Sequence, residues 1–334
     1  MTSIEQHSRK LAIQSYRGLT LPLRTLVRRN QVRSGTVPLH ILFYHRIAND
    51  FQNSWTMCTA DFDQQISWLQ KHFKIVSLQE IQRRIDSGFN REPCVAVTFD
   101  DGYAENCENA LPLLIKRAIP FTYFVCLQNM LTGQFFSHDV KAGKGLCPNS
   151  IESLRQLAAV SQCQIGAHTR NHANIGGIEN PLELHDELIQ ASEELAALVR
   201  QPIHYFAFPY GTPANMSPLA FQLLKEHGFR GVCSAYGGTN QVGGDSFHLQ
   251  RMHGDPLLCR VQNWLTNDPR VARVKRYDYQ DFDRDEYQRF KSAIALSARG
   301  SGRLNDAEFD IPTVHQTGLP IDTTSNPTVD HENV

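Results

Sequence analysis

No stretch of this 334-residue chain approaches the ~20 consecutive apolar residues that a membrane-spanning helix needs. Nor is there a CxxC pair or a zinc-ribbon spacing. The eight cysteines, Cys58, Cys94, Cys107, Cys126, Cys147, Cys163, Cys233 and Cys259, are scattered, which excludes a cysteine metal framework. Charge imbalance is missing too: lysine plus arginine number 33 and aspartate plus glutamate 34, so no net field recommends nucleic acid or an acidic polymer as partner. No repeat of solenoid period and no low-complexity block interrupts the middle of the chain.

The first 33 residues show no uninterrupted apolar core of signal-peptide type, because Arg17 and Arg24 break it. Cys94, Cys126 and Cys233 sit inside strand-like apolar runs, where a free thiol behaves as a small hydrophobe. Together these features lead to the expectation of a reducing, cytoplasmic location. Seven basic residues between Arg9 and Arg33 stand against the lone acid Glu5. Such a stretch fits a solvated extension, or a peripheral contact with the inner face of an anionic membrane.

What is present is a large apolar complement, 41% of the residues, enough for one α/β barrel core of ~250 residues. From Val37 onward, short apolar runs alternate with segments of helical period, the pattern of βα units around a mostly parallel sheet. Strands are predicted near LHILFYH, CVAVTFD, FTYFVCL, CQIGAH, IHYFAFP and RGVCSA. Helical stripes run through Phe62, Ile66 and Leu69, and through Leu184, Leu188, Ala191, Leu195 and Leu198. The expected organisation is a basic extension over 1–36, one domain over 37–298, and a disordered tail over 299–334, where apolar periodicity gives way to Gly, Pro, Thr, Asn and Asp.

Three motifs fall at predicted strand ends, where an α/β barrel collects its reactive groups. In TFDDGY, Asp100 and Asp101 are adjacent carboxylates, costly together unless a positive group lies between or beside them. A cation held by one carboxylate, with the other free to take a proton, is one remedy; a helix-capping turn is the other reading of DDG. In HTRNH, His168 and His172 are spaced to converge on one ion, although surface histidines also fall at that interval. In FAFPYG, the backbone N–H of Tyr210 can be aimed at a developing oxyanion, or the segment is a plain turn. Taken together, Asp101, His168 and His172 form a three-ligand set with open positions, as in a catalytic metal site.

FYHRI, TFDDGY, HTRNH and FAFPYG, in this order, resemble the polysaccharide deacetylase family (the NodB-homology domain, carbohydrate esterase family four) over roughly Pro38 to His253. The resemblance implies a distorted (β/α) barrel of about seven strands. It also implies a divalent ion, Zn2+ or else Co2+, Ni2+ or Mn2+, on Asp101, His168 and His172. Asp100 would be the base that activates a water held at the ion, and the Tyr210 amide would stabilise the oxyanion. The family's third-motif arginine is replaced here by Ala207, so Arg251 becomes the candidate to position Asp100. The final leucine-x-histidine motif has no clean copy, which leaves His253 as the nearest candidate acid and His45 as a further histidine near the barrel mouth.

The expected activity is therefore metal-dependent removal of acetyl groups from an N-acetylated sugar, glycan or glycan precursor. The alternatives are an O-acetyl esterase or small-amide hydrolase on the same centre, or a non-catalytic carbohydrate-binding barrel. A carbohydrate is the expected substrate, and its selection falls to loops such as Thr132 to Asn149, whose sequence carries no readable code.

Overall fold

Two of the expected strands, β1 (Leu39–Tyr44) and β2 (Cys94–Phe99), are buried at every position, as strands of a parallel sheet covered on both faces must be. The computed structural model describes residues 3–53 and 55–300. The other expected runs become β3 (Phe121–Val125), β4 (Cys163–Ala167), β5 (Tyr205–Ala207) and β6 (Gly231–Cys233). Each pairs in parallel with the next, from Tyr44↔Phe99 through Val125↔Ala167 and Ala167↔Phe206 to Ala207↔Cys233.

Two dipeptides, β7 (His248–Leu249) and β8 (Met252–His253), lie at the two ends of the sheet, and Lys74–Ile75 pairs in parallel with β2 off this path. β7 pairs with β6 and β8 pairs with β1, both in parallel. A single short stretch thus touches both ends of the sheet and curls it back on itself as the expected distorted barrel. Arg251 lies between its halves.

Helix α1 (Ser3–Ser34) contains Pro22 yet runs unbroken through the basic N-terminal extension. The buried Arg24 donates to the carbonyl and the side-chain oxygen of Asn263, both at 2.8 Å. Cys58 caps α2 (Thr59–His72), whose buried face carries the expected Phe62, Ile66 and Leu69. The second stripe forms Pro181–His185, a π turn over Asp186–Gln190, and Ala191–Val199. The helix Arg284–Gly300 continues regular structure past the boundary expected at 298. The rest of the expected tail, 301–334, lies outside the described residues.

Candidate active site and metal centre

One residue beyond the Tyr44↔Phe99 pair, the Asp100 N–H donates to the Tyr44 carbonyl at 2.8 Å, which sets Asp100 beside His45 at the strand ends. The chain then turns through positive φ, 69° at Asp101 and 97° at Gly102. A Cβ on Gly102 would meet Met130 Cε and Val125 Cγ1 at 3.0 Å, so this turn requires glycine. Neither aspartate caps a helix. The following helix, Glu105–Asn109, takes Ala104 as its cap residue, with no side-chain bond there, which disposes of the capping-turn reading.

Asp100 is held from below by Arg251, whose Nη1 and Nη2 donate to Oδ1 and Oδ2 at 2.6 and 2.8 Å. The guanidinium is fully buried. Its remaining donors reach Thr98 Oγ1 at 3.0 Å and the Ser234 carbonyl at 2.9 Å, and Phe43 and Phe124 lie against its faces at 5.0 and 5.3 Å. Burial alone would raise the Asp100 carboxyl; Arg251 outweighs it and holds the group below its ordinary value.

Three ligand-type atoms converge in front of this pair. His168 Nε2 and His172 Nε2 lie 3.3 and 3.2 Å from Asp101 Oδ1, and that oxygen is buried without a hydrogen-bond partner. The contact of His168 Nδ1 with the Ala207 carbonyl, at 2.7 Å, is a donation, because a carbonyl only accepts. That leaves Nε2 as a free lone pair aimed at Asp101. Ligand atoms about 2.0–2.1 Å from a tetrahedral zinc stand roughly 3.3–3.4 Å apart, so the orphaned oxygen and the two imidazoles fit a divalent ion. Burial raises the Asp101 carboxyl, but His172 and His45 draw it well below its ordinary value.

The loop that carries these histidines is strained and buttressed. Thr169 and His172 have φ of 66° and 56°, a region that non-glycine residues enter only when their surroundings enforce it. Enforcement comes from Glu187, 4% exposed, in the π turn. Its Oε2 accepts from the Arg170 and Asn171 N–H groups at 2.9 and 3.0 Å, and its Oε1 from Asn171 Nδ2 at 2.7 Å. π turns recur at functional sites; nothing in the one-dimensional stripe announces this one.

The cluster opens into a cavity of about 130 Å³ lined also by Phe43, His45, Trp55, His138, Phe208, Tyr210 and Ala235. Tyr210 is 56% exposed with φ 60°, and its ring lies 5.0 Å from that of His172. Among the described residues none accepts from its N–H. His138, absent from the expected set, comes from the short helix Ser137–Lys141 inside the loop of unreadable code. Its Nε2 is 4.0 Å from Asp101 Oδ2 and 2.8 Å from the Tyr103 hydroxyl, which donates to Asp139 at 2.6 Å. A lone histidine and a lone tryptophan, Trp55, offered no spacing by which to find them.

His253 does not line this cavity. Its ring sits behind, 6.2 Å from His45 and 5.4 Å from Trp55, where burial pushes its pKa down to about 4. Burial lowers the His45 pKa as well, but His45 faces the cavity, with its ring tilted against Trp55 at 4.7 Å.

The chain is similar to known proteins of one family. The polysaccharide deacetylase family model matches residues 88–232, a span that holds both aspartates, both histidines and Tyr210. YxkH of Bacillus subtilis (strain 168), named as a candidate polysaccharide deacetylase, is 26% identical over 179 residues. That match covers 52% of this chain and 57% of YxkH, so the chain spans little more than half of that relative's length. Among solved structures, IcaB from Ammonifex degensii is 25% identical with a TM-score of 0.60, covering 69% of this chain and 97% of IcaB. The Streptococcus pyogenes deacetylase PplD, solved in complex with acetate, shares the fold at 19% identity and a TM-score of 0.57, over 68% of this chain and 98% of its own. Over residues 88–232, the span that carries its motifs, the chain matches the polysaccharide deacetylase family.

Proposed function

We propose that this chain is a metal-dependent hydrolase that removes acetyl groups from an N-acetylated sugar, glycan or glycan precursor. The observation that carries the reading is the buried, unpartnered Asp101 Oδ1 between His168 Nε2 and His172 Nε2, with Asp100 clamped beside it by Arg251. Asp101, His168 and His172 would hold a divalent cation, for which the mixed N/O donor set suits zinc, with cobalt, nickel or manganese as substitutes. When bound, the ion supplies Lewis acidity to the acyl oxygen and lowers the pKa of water.

The remaining steps belong to the protein's own groups. Asp100 is ionised at neutral pH and fixed in orientation, and each of its oxygens keeps a lone pair beyond its bond to Arg251, so it can take the proton of the attacking water. The Tyr210 N–H stands ready to donate to the oxyanion of the tetrahedral intermediate. Protonation of the departing nitrogen falls to His45 rather than His253, because His45 faces the cavity and His253 does not. The cavity is far smaller than the ~300–1,000 Å³ that encloses a whole ligand. It therefore admits the acetamido group, while the rest of the carbohydrate lies across the rim, where Trp55 and Tyr210 present exposed rings. PplD, which binds acetate, supports the same product here.

The test is acetate release from N-acetylglucosamine oligomers and from acetylated xylan, in parallel, by the zinc-loaded protein and its Asp100→Asn variant. Release from the amino-sugar that disappears in the variant is expected. Release from xylan alone would reassign the protein as an O-acetyl esterase.

A further inference from the structure

Helix α1 turns one face to the barrel and leaves the other to solvent. On the packed side Tyr16, Arg17 and Arg24 bond to Asp268, Gln262 and Asn263. On the opposite side Leu11, Leu19 and Leu26 share one helical stripe and are 51%, 84% and 58% exposed. Leu23, beside them, is 56% exposed. Arg29 and Arg33 continue the stripe, both exposed. The helix has no acid after Glu5, and among the described residues no carboxylate pairs with these two cations.

The flank next to this stripe opens into an apolar cavity of about 310 Å³, where Leu23 and Val27 meet Trp264 and Val271. At its inner end is His40, at the start of β1, 3% exposed and with no partner for Nδ1.

Charge and apolarity together select the occupant. A second copy packed on the same face would set this acid-free helix against itself, like charge on like. A nucleic acid would meet the arginines but would press the leucines against its phosphates. An anionic bilayer satisfies both, with the phosphates of its headgroups beside an apolar boundary. We propose that α1 is an interfacial helix that docks the protein on an anionic membrane surface. Leu11, Leu19, Leu23 and Leu26 enter the headgroup–acyl boundary, and Arg29 and Arg33 meet lipid phosphates. The lipid-side cavity borders β1 at its first residues and the catalytic cluster lies beyond its last, ~20 Å away along the strand, so docking leaves the active-site mouth uncovered.

The experiment is co-sedimentation of the full chain with vesicles of phosphatidylcholine, alone or mixed with phosphatidylglycerol. Binding to the mixed vesicles that weakens as salt is added is expected. At roughly fivefold per charge, Arg29→Gln combined with Arg33→Gln should lower the partition constant ~30-fold. Leu19→Asp with Leu26→Asp should abolish binding while leaving the melting temperature and acetate release from soluble oligomers as in the wild type. Wild-type protein that stays in the supernatant with mixed vesicles would overturn the proposal. So would leucine variants that bind like the wild type, or a wild-type dimer that the leucine variants convert to monomer.

Discussion

Arg251 is the residue whose removal discriminates most sharply. It is fully buried and pairs with Asp100 through two short hydrogen bonds. Arg251→Ala leaves a buried carboxylate without its counter-charge, a loss of ~3–5 kcal/mol in comparable buried pairs. The carboxylate responds by shifting its pKa, since burial, now unopposed by Arg251, raises it. Each unit of that shift corresponds to ~1.4 kcal/mol. Two readouts follow: a melting temperature well below that of the wild type, and an acidic limb of the kcat/KM profile moved toward higher pH. A misplaced base should also lower the rate about 100-fold or more. Arg251→Lys keeps one charge but cannot make the two-pronged contact, so it should restore most of the stability and little of the rate. Acetate release across a pH series measures all of this. An Arg251→Ala enzyme with wild-type rate and an unmoved acidic limb would refute the assignment.

Glu187→Gln weakens the acceptor that holds the His168–His172 loop, and zinc affinity measured by competitive chelation should fall ~10–100-fold. His45→Ala should lower kcat by about 100-fold or more, whereas His253→Ala should leave it within about threefold of the wild type; acetate release under saturating substrate separates them. Gly102→Ala places a Cβ 3.0 Å from Met130 and Val125 at φ 97°, so the unfolding free energy measured in urea should fall by more than the ~1 kcal/mol of an ordinary glycine change. Asp100 and Asp101 both titrate below their ordinary values, so folded protein binds fewer protons than unfolded. The stability they contribute is complete above the ordinary carboxylate range and is lost as pH falls through their folded values. In chelator-treated protein the urea midpoint should therefore drop toward acid, and Asp101→Asn should flatten that dependence.

Six strands were legible because a parallel strand buried on both faces is a continuous apolar run, as LHILFY and CVAVTF show. The closing stretch escaped because each of its pairings lasts two residues and a buried arginine interrupts it. Asp100, Asp101, His168, His172 and Tyr210 were legible as motifs at strand ends. The Arg251 contact spans 151 positions, and only barrel closure brings it under Asp100; the sequence could offer it as a candidate but not its two-pronged grip. Glu187 and His138 act through a π turn and a one-turn helix, neither of which leaves a periodic trace. Helix α1 shows the same limit, since its basic composition was plain but its docked and open faces needed the contacts of Arg24.

The most direct test of the central claim is acetate released from N-acetylglucosamine oligomers by the same protein sample as purified, after exhaustive chelation, and after one equivalent of zinc is returned. Loss on chelation and recovery with zinc is the predicted result. Undiminished turnover by protein shown to be free of metal would contradict the account.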